Sequence, residues 1–249
     1  AQNFDGLVQS FPLEKKIAGK GIVNEHHNST LLGLKGIPNL AEDLQIARDL
    51  YLLEYTGGKL HIPTISTEKS VALIKEAKKK RLDVTCSVAI HNLILTDDLL
   101  SEFDTRAKVL PPLRTKKDTK ALIKGLKEGT IDFVTSDHDP IDIENKKVEF
   151  DNASYGSIGL ESAFGALHTI FSTEETIEIL TRGRSRFKAE NIKIAEKETA
   201  KLSFFLPEVK YSFEKSDILS TSQNSIFLGQ QLKGKAIGIF NNNQLIIAE

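Results

Sequence analysis

The chain has little sulfur and no long apolar run. Its 249 residues include one cysteine, no methionine and no tryptophan. The single Cys86 excludes an internal disulfide and a cysteine-based zinc cluster, and its apolar neighbours favour a buried strand residue. No stretch approaches the roughly 18 apolar residues of a membrane helix, and the first residues lack the pattern of a signal peptide. We therefore expect a cytoplasmic protein that makes no membrane contact.

Methionine is absent even at position 1. A natural chain of this length ordinarily carries several, so we expect a processed or partial sequence, or one from which methionines were dropped.

An excess of charge of either sign is also missing. The chain has 33 basic and 34 acidic residues, and such a balance creates no field that would attract nucleic acid. Its length, in contrast, is ample for a large core, because about 250 residues is the typical size of one (β/α)8 barrel.

Apolar periodicity along the chain predicts strands alternating with helices. A helix is expected over 40–55, with Leu40, Leu44, Ala47, Leu50 and Tyr51 on its buried face. Strands are expected over 59–65 and 82–90, and a short one over 107–110. Thr115 and Asp118 resemble a capping box that opens another helix. This alternation predicts a parallel sheet with right-handed crossovers.

The segment GTIDFVTSDHDP at 129–140 is the strongest candidate for chemistry. Its apolar run ends abruptly in polar residues, which is typical of a buried parallel strand that delivers side chains to the mouth of a barrel. Asp137 could hold a metal or move a proton, and His138 could orient a ligand. The alternative is an Asp-rich turn, since Asp139-Pro140 is itself a turn signature.

Several separated motifs resemble those of the dihydroorotases of the amidohydrolase superfamily. They are YTGGKLHI at 55–62 followed by Ser66-Thr67, KVLPPLR at 108–114, the segment from Gly125 to His138, Tyr155-Gly156 and GLE at 159–161. The resemblance implies a metal-bearing (β/α)8 barrel with a small β-sandwich. We therefore expect an α/β fold, a partial TIM-type barrel over 1–198 and a small β appendage over 199–249. The first barrel strand of the family, with its metal-binding His-x-His motif, is expected to be missing.

The same resemblance assigns roles to particular positions. Asp137 matches the acid/base residue linked to the metal, so it is the catalytic candidate and the ligand of any metal bound. Arg114, His138, Tyr155 and Gly156 are the substrate-binding candidates.

Four other positions depart from the family pattern. Two metal-binding histidines are replaced by Phe11 and Thr64, and two substrate-contacting residues are replaced by Leu110 and Ile141. His61 lies three residues before Thr64, on the opposite face of the strand, so it is not expected to replace the lost ligand. Zinc is the family's cofactor, but with two imidazoles missing we expect none here.

Three functions remain open from the sequence. The first is an active zinc-dependent dihydroorotase of pyrimidine biosynthesis, which hydrolyses the cyclic amide of dihydroorotate with Asp137 as acid/base. The second is a catalytically impaired homologue that acts as a scaffold for aspartate transcarbamoylase, because inactive members of the family associate with that enzyme. The third is another cyclic-amide hydrolase. The second is favoured, and a homo-oligomer is expected.

Overall fold

The structure is a computed structural model that describes residues 1–189, 194–196 and 198–247. Its strands, in chain order, are β1 (Leu7–Gln9), β2 (Val23–Asn24), β3 (Gly36–Ile37), β4 (Lys59–Ile62), β5 (Val84–Ala89), β6 (Phe133–Thr135), β7 (Leu202–Ser212), β8 (Gln231–Asn241) and β9 (Gln244–Ile247). Its helices are α1 (Lys15–Ala18), α2 (His27–Leu32), α3 (Asn39–Thr56), α4 (Glu68–Lys79), α5 (Ile90–Ile94), α6 (Lys116–Lys127), α7 (Ala163–Leu167) and α8 (Thr173–Thr181). Short 3-10 turns complete the described structure.

The central sheet has four parallel strands in the order β1-β4-β5-β6. Their register aligns Gln9 with His61 and His61 with Thr85, while Ala89 pairs with Thr135. Helices α3, α4 and α6 connect successive strands of this sheet. Because all four strands run in the same direction, the residues that follow them lie at one edge. The predicted α/β barrel portion therefore takes the form of a four-stranded open sheet.

The C-terminal part forms the predicted β appendage. Strands β7, β8 and β9 make an antiparallel sheet of three strands, joined to the rest through α7, where Phe164 packs on Phe205 with ring centroids 4.4 Å apart. Phe213 and Leu232 also belong to the main hydrophobic core. The predicted boundary between 198 and 199 lies just before β7, and the division into two domains stays a prediction. Residues 190–193, 197 and 248–249 lie outside the description.

The helix starts follow the local sequence. Thr115 and Asp118 form the expected capping box at the start of α6, and the Thr67 hydroxyl accepts a hydrogen bond from the Ser70 N–H at the start of α4. Such caps satisfy backbone N–H groups that the first helical turn leaves unpaired. These two helices therefore begin where their capping residues place them.

The predicted buried face of α3 is correct at Leu50 but wrong at three other positions. The side that packs inward carries Ala41, Glu42, Gln45, Ile46, Leu50 and Leu53. Of the five residues predicted for it, Leu40, Leu44 and Tyr51 are exposed. The polar residues Glu42 and Gln45 lie on the buried side because hydrogen bonds satisfy their side chains there. A prediction from apolar periodicity alone does not count such residues as buried, so it selects the opposite side.

The short strand predicted over 107–110 is also absent from the described structure. A 3-10 turn at Thr105–Ala107 ends at the first residue of that stretch. The stretch precedes Pro111 and Pro112, which lack the N–H groups that a sheet ladder requires. Leu110 packs against the small apolar cluster of Ala18, Ile37 and Ala41.

One buried ion pair ties several of these elements together. Arg114 is 2% exposed and its guanidinium lies 3.7 Å from the Glu42 carboxylate, which is 1% exposed. The guanidinium also donates to Asn24 Oδ1 at 2.8 Å and to the Ile37 carbonyl at 2.9 Å. Burial raises the pKa of Glu42, while Arg114 opposes that rise. The pair thus links β2 and β3 to α3.

We expect Arg114→Met to destabilise the fold by about 3–5 kcal/mol, because it leaves the Glu42 carboxylate buried without a counter-charge. The matched control is Arg48→Met, which removes an exposed guanidinium 3.3 Å from Glu14 and should change stability by about 0.5 kcal/mol or less. Denaturant unfolding of both variants measures the difference. Equal effects for the two arginines would contradict the structural role of Arg114.

Candidate active site

The candidate site lies at the edge where the parallel strands end. Phe11 follows β1, Thr64 follows β4 and Asp137 follows β6, each by two residues. The topology places these three positions after parallel strands of one sheet, at its C-terminal edge. Such an edge carries the active sites of parallel α/β barrels.

Asp137 lies in a turn of the backbone, two residues after the end of β6. Its backbone has φ 49°, and its N–H donates to Thr135 Oγ1 at 3.1 Å. Burial, with a smaller contribution from the nearby Asp139, raises the pKa of Asp137 to about 6. The carboxyl group is therefore suited to exchange a proton close to neutral pH.

His91 is a site residue that the sequence reasoning did not identify. Its side chain is 2% exposed, and Nε2 lies 3.8 Å from Asp137 Oδ2. Nε2 has no hydrogen-bond partner among the described residues, and burial lowers the pKa of His91 to about 4. A signal existed in the sequence, since His91 directly follows an apolar strand just as the polar cluster at Asp137 does.

The Thr64 side chain has no nitrogen atom that could bind a metal ion as an imidazole does. Its N–H donates to Ser87 Oγ at 3.3 Å, and its backbone has φ 47°. The Thr64 Oγ1 atom is buried and has no hydrogen-bond partner in the described part of the chain. Phe11 is 43% exposed and carries no lone pair at all.

His61 is engaged within the sheet. Its Nδ1 lies 3.0 Å from Thr85 Oγ1 and its Nε2 lies 3.4 Å from Ser87 Oγ. The ring stacks on Phe133 with centroids 5.1 Å apart, and burial lowers its pKa to about 4. Both ring nitrogens therefore face hydroxyl groups within the protein.

Two of the substrate-binding candidates serve the structure. Arg114 directs its donors to Ser66, Asn24 and Ile37 inside the protein. His138 accepts hydrogen bonds at Nδ1 from the N–H groups of Gly159 and Leu160, at 3.3 and 3.4 Å. The structure therefore uses Arg114 to join elements and His138 to anchor the loop after β6.

Tyr155 and Gly156 are held close to the strand ends. The Tyr155 hydroxyl donates to the Gly21 carbonyl at 3.2 Å, and the Lys108 ammonium lies 5.3 Å from the centre of the Tyr155 ring. Gly156 has φ 127°, and a Cβ added there would lie 2.5 Å from Asp139 Oδ2. The close approach of this loop to Asp139 therefore requires glycine.

Ile141, the other position that departs from the expected family pattern, forms hydrogen bonds with a C-terminal loop. Its N–H donates to Asn224 Oδ1 at 3.2 Å, and its carbonyl accepts from Ser222 Oγ at 2.7 Å. Neither the Ile141 side chain nor that of Leu110 offers a polar atom to a ligand.

The residues at this edge do not fit a catalytic zinc ion. Such an ion takes three protein ligands and leaves one position open. Asp137 and His91 are the donors that the structure brings together, while Phe11 provides no lone pair and Thr64 provides only a hydroxyl. Within residues 1–189, 194–196 and 198–247, no three His, Cys, Asp or Glu side chains cluster closely enough to hold a metal ion.

Comparison with known proteins relates the chain to one group of enzymes. It is 38% identical over 237 residues to a dihydroorotase of Thermoanaerobacter sp. (strain X514), covering 93% of the chain and 55% of that protein. It is 39% identical over 242 residues to a dihydroorotase of Carboxydothermus hydrogenoformans, covering 94% of the chain and 56% of that protein. The chain is a homologue of the dihydroorotases. It spans a little over half the length of these relatives, and no protein-family model matches it.

Solved structures show the fold of this dihydroorotase homologue. Dihydropyrimidinase from Brevibacillus agri superposes with a TM-score of 0.81 at 21% identity, covering 98% of the chain and 57% of that protein. Dihydroorotase from Saccharomyces cerevisiae, in complex with 5-fluoroorotic acid, has a TM-score of 0.64 at 16% identity, covering 84% of the chain and 58% of that protein. These neighbours are amidohydrolases with TIM-type barrels, which confirms the predicted fold class. Among the described residues, no helix has the length and apolar character needed to cross a membrane.

The raised pKa of Asp137 predicts a pH-dependent stability difference. In the unfolded chain the carboxyl group has its ordinary pKa near 3.8, whereas in the fold its pKa is about 6. The folded protein therefore loses stability as the pH rises from about 4 to about 6, and the loss stays constant above that range. Asp137→Asn, which remains neutral, should match the wild type near pH 4 and be more stable at pH 7.

Denaturant unfolding of both proteins at pH 4 and pH 7 measures this difference. Asp83→Asn is the control, because the Asp83 carboxylate is exposed and paired with Arg186. A stability gap between Asp137→Asn and the wild type that is the same at both pH values would show that Asp137 titrates normally.

Proposed function

We propose that this chain is a dihydroorotase homologue of pyrimidine biosynthesis with impaired catalysis, which acts through contacts with another protein. The observation that carries the proposal is the small number of side chains at the strand ends that could bind a metal ion. Phe11 and Thr64 follow β1 and β4 at the same edge of the sheet as Asp137, at positions where the resemblance calls for two metal-binding histidines. Without a metal ion, water keeps a pKa near its bulk value of about 15.7 and is a poor nucleophile.

The substrate positions support the same proposal. Leu110 and Ile141 place apolar side chains where the family contacts a charged, polar substrate. Leu110 instead packs against an apolar cluster. A lost hydrogen bond to a buried polar group costs about 1–3 kcal/mol, so two such losses weaken binding by about a hundredfold or more.

Aspartate transcarbamoylase is the partner that we propose for the impaired chain. Inactive members of the dihydroorotase family associate with that enzyme. Such an association requires a folded surface but does not require an intact metal site.

The second candidate function is an active zinc-dependent dihydroorotase with Asp137 as acid/base. Two observations favour it: the pKa of Asp137 is raised to about 6, and the unpartnered Nε2 of His91 lies 3.8 Å away. Another cyclic-amide hydrolase remains the third candidate. The similarity to the dihydropyrimidinase concerns the fold alone, so it gives this third candidate function no separate support.

We predict that the purified chain contains no stoichiometric zinc and does not turn over dihydroorotate, because its strand ends offer too few metal ligands. Elemental analysis and a dihydroorotate hydrolysis assay measure the two quantities. About one zinc ion per chain together with clear turnover would support the active enzyme and overturn the proposal.

Histidine variants provide the control for this experiment. Thr64→His adds one imidazole to Asp137 and should leave the chain inactive. The double variant Phe11→His with Thr64→His supplies two imidazoles and a carboxylate, so it should gain more zinc than either single variant. If Thr64→His alone became active with zinc, our count of missing ligands would be wrong.

We also predict that the chain forms a complex with aspartate transcarbamoylase from its own source organism. Size-exclusion chromatography with light scattering on the mixture should give a mass above that of either protein alone. An unrelated protein of similar size, mixed in the same way, is the control. Separate elution of the two proteins at micromolar concentrations would refute the partner assignment.

A further inference from the structure

The outward side of α6 carries a stripe of lysines. The inward side of this helix carries Asp118, Leu122, Gly125 and Leu126. At about 100° per residue, the lysines of α6 lie within about 100° of one another on the opposite side. They are Lys116, Lys117, Lys120, Lys124 and Lys127, and all are exposed. The stripe is about 17 Å long, and the acidic residue within its span, Asp118, is buried.

Helix α4 lies next to α6 and extends this basic surface. The two helices run in the same direction, because the Glu68 N–H at the start of α4 donates to Asp118 Oδ1 at 3.0 Å and Lys75, further along α4, lies 2.7 Å from Glu128. The exposed cations of α4 and of the residues directly after it are Lys69, Lys75, Lys79, Lys80 and Arg81. We call these five residues and the lysine stripe of α6 together the basic face.

The basic face concentrates positive charge in a chain that is nearly neutral. Residues 68–83 and 115–128 contain 11 basic and 5 acidic residues, whereas the whole chain contains 33 and 34. The rest of the chain therefore has 22 basic and 29 acidic residues, which is an excess of negative charge. This separation gives the face a positive local field, although the net charge of the chain is only −1.

Acidic neighbours neutralise the face only in part. Lys117 lies 2.6 Å from Glu68, and the Glu128 carboxylate is shared between Lys75 at 2.7 Å and Lys124 at 3.6 Å. Ion pairs also form at Lys79, Lys80 and Lys116. The cations that form no ion pair with the residues the structure describes are Lys69, Arg81, Lys120 and Lys127. Their charges are therefore available to a partner.

The lysine stripe works against the helix that carries it. Like charges three or four residues apart on one helix repel each other. Lys116 and Lys117 also lie in the first turn of α6, where the helix dipole disfavours cations. A surface that only has to remain in water can mix charges of both signs, and departures from local preference are typical of functional sites. The stripe is therefore better explained by binding than by solvation.

The size and composition of the face indicate an acidic protein surface as its partner. Single-stranded nucleic acid is bound by aromatic side chains that stack on bases, and arginine matches the geometry of phosphate. Residues 68–83 and 115–128 include no aromatic residue and one arginine, Arg81. A long polyanion would also extend beyond the stripe onto the acidic rest of the chain. A compact acidic surface avoids that repulsion and complements the lysines.

We propose that the basic face of α4 and α6 is the docking surface for an acidic surface of another protein. This inference depends on the proposed function in one respect, namely that the chain acts through contacts with a protein. It adds the surface and the charge of that contact. Aspartate transcarbamoylase is one test partner, and poly-L-glutamate is a probe that does not depend on that choice.

The face variant, Lys69→Glu with Lys120→Glu and Lys127→Glu, reverses three charges without removing an internal ion pair. The matched control, Lys16→Glu with Lys20→Glu and Lys35→Glu, makes the same change of charge at exposed lysines outside the face. At low salt the face variant should bind poly-L-glutamate at least about tenfold more weakly than the wild type, and the control should stay within about twofold. Wild-type binding should weaken as salt is raised, because salt screens exposed charges. Circular dichroism of each variant establishes that it is folded.

Equal binding of poly-L-glutamate by the two variants would overturn the inference, since the lysines would then form only a solvated surface. Tighter binding of an oligodeoxynucleotide of matched charge than of poly-L-glutamate would overturn the assignment to a protein partner.

The complex with aspartate transcarbamoylase separates this inference from the proposed function. The face variant should bind that enzyme at least about tenfold more weakly than the control variant. A complex that forms equally well with both variants would overturn the docking surface and leave the proposed function intact. No complex with the enzyme, together with face-dependent binding of poly-L-glutamate, would reject the proposed partner and support the docking surface.

Discussion

The buried guanidinium of Arg114 is the interaction on which the arrangement of the strand ends depends. It donates to Asn24 and to the Ile37 carbonyl and lies next to the carboxylate of Glu42. Glu42 in turn accepts hydrogen bonds from the N–H groups of Ser66 and Thr67, which lead into α4. Two β-strands, one helix and the turn after β4 thus share a single charged network. A buried pair of this kind is costly to break from one side, which fixes the relative positions of these elements.

This network includes Ser66 and Thr67, which follow Thr64 closely in the chain. It is composed of side-chain and backbone groups of the chain itself, so the frame of the site does not depend on a bound ion. The groups that hold this frame differ from Asp137 and His91, the two possible metal ligands that lie close together.

The sequence predicts the order of the elements well and the orientation of α3 poorly. Strand ends were recognisable because apolar runs stop at polar residues, and the start of α6 was recognisable from Thr115 and Asp118. The buried side of α3 was missed because burial there depends on partners distant in sequence: Glu42 is accommodated by Ser66 and Arg114. The contacts of Arg114 with Ser66, Asn24 and Ile37 depend on the same kind of distant partners. His91 was overlooked although it follows a strand, since its significance depends on its distance to Asp137.

The backbone at Thr64 has a consequence of its own. With φ 47° this residue lies in the left-handed region, where histidine and asparagine occur several times more often than other side chains and a β-branched residue is an outlier. Holding threonine there costs on the order of 1–3 kcal/mol, which the surrounding packing must offset. The main chain at this position therefore has a shape that histidine or asparagine adopts more readily than the threonine present.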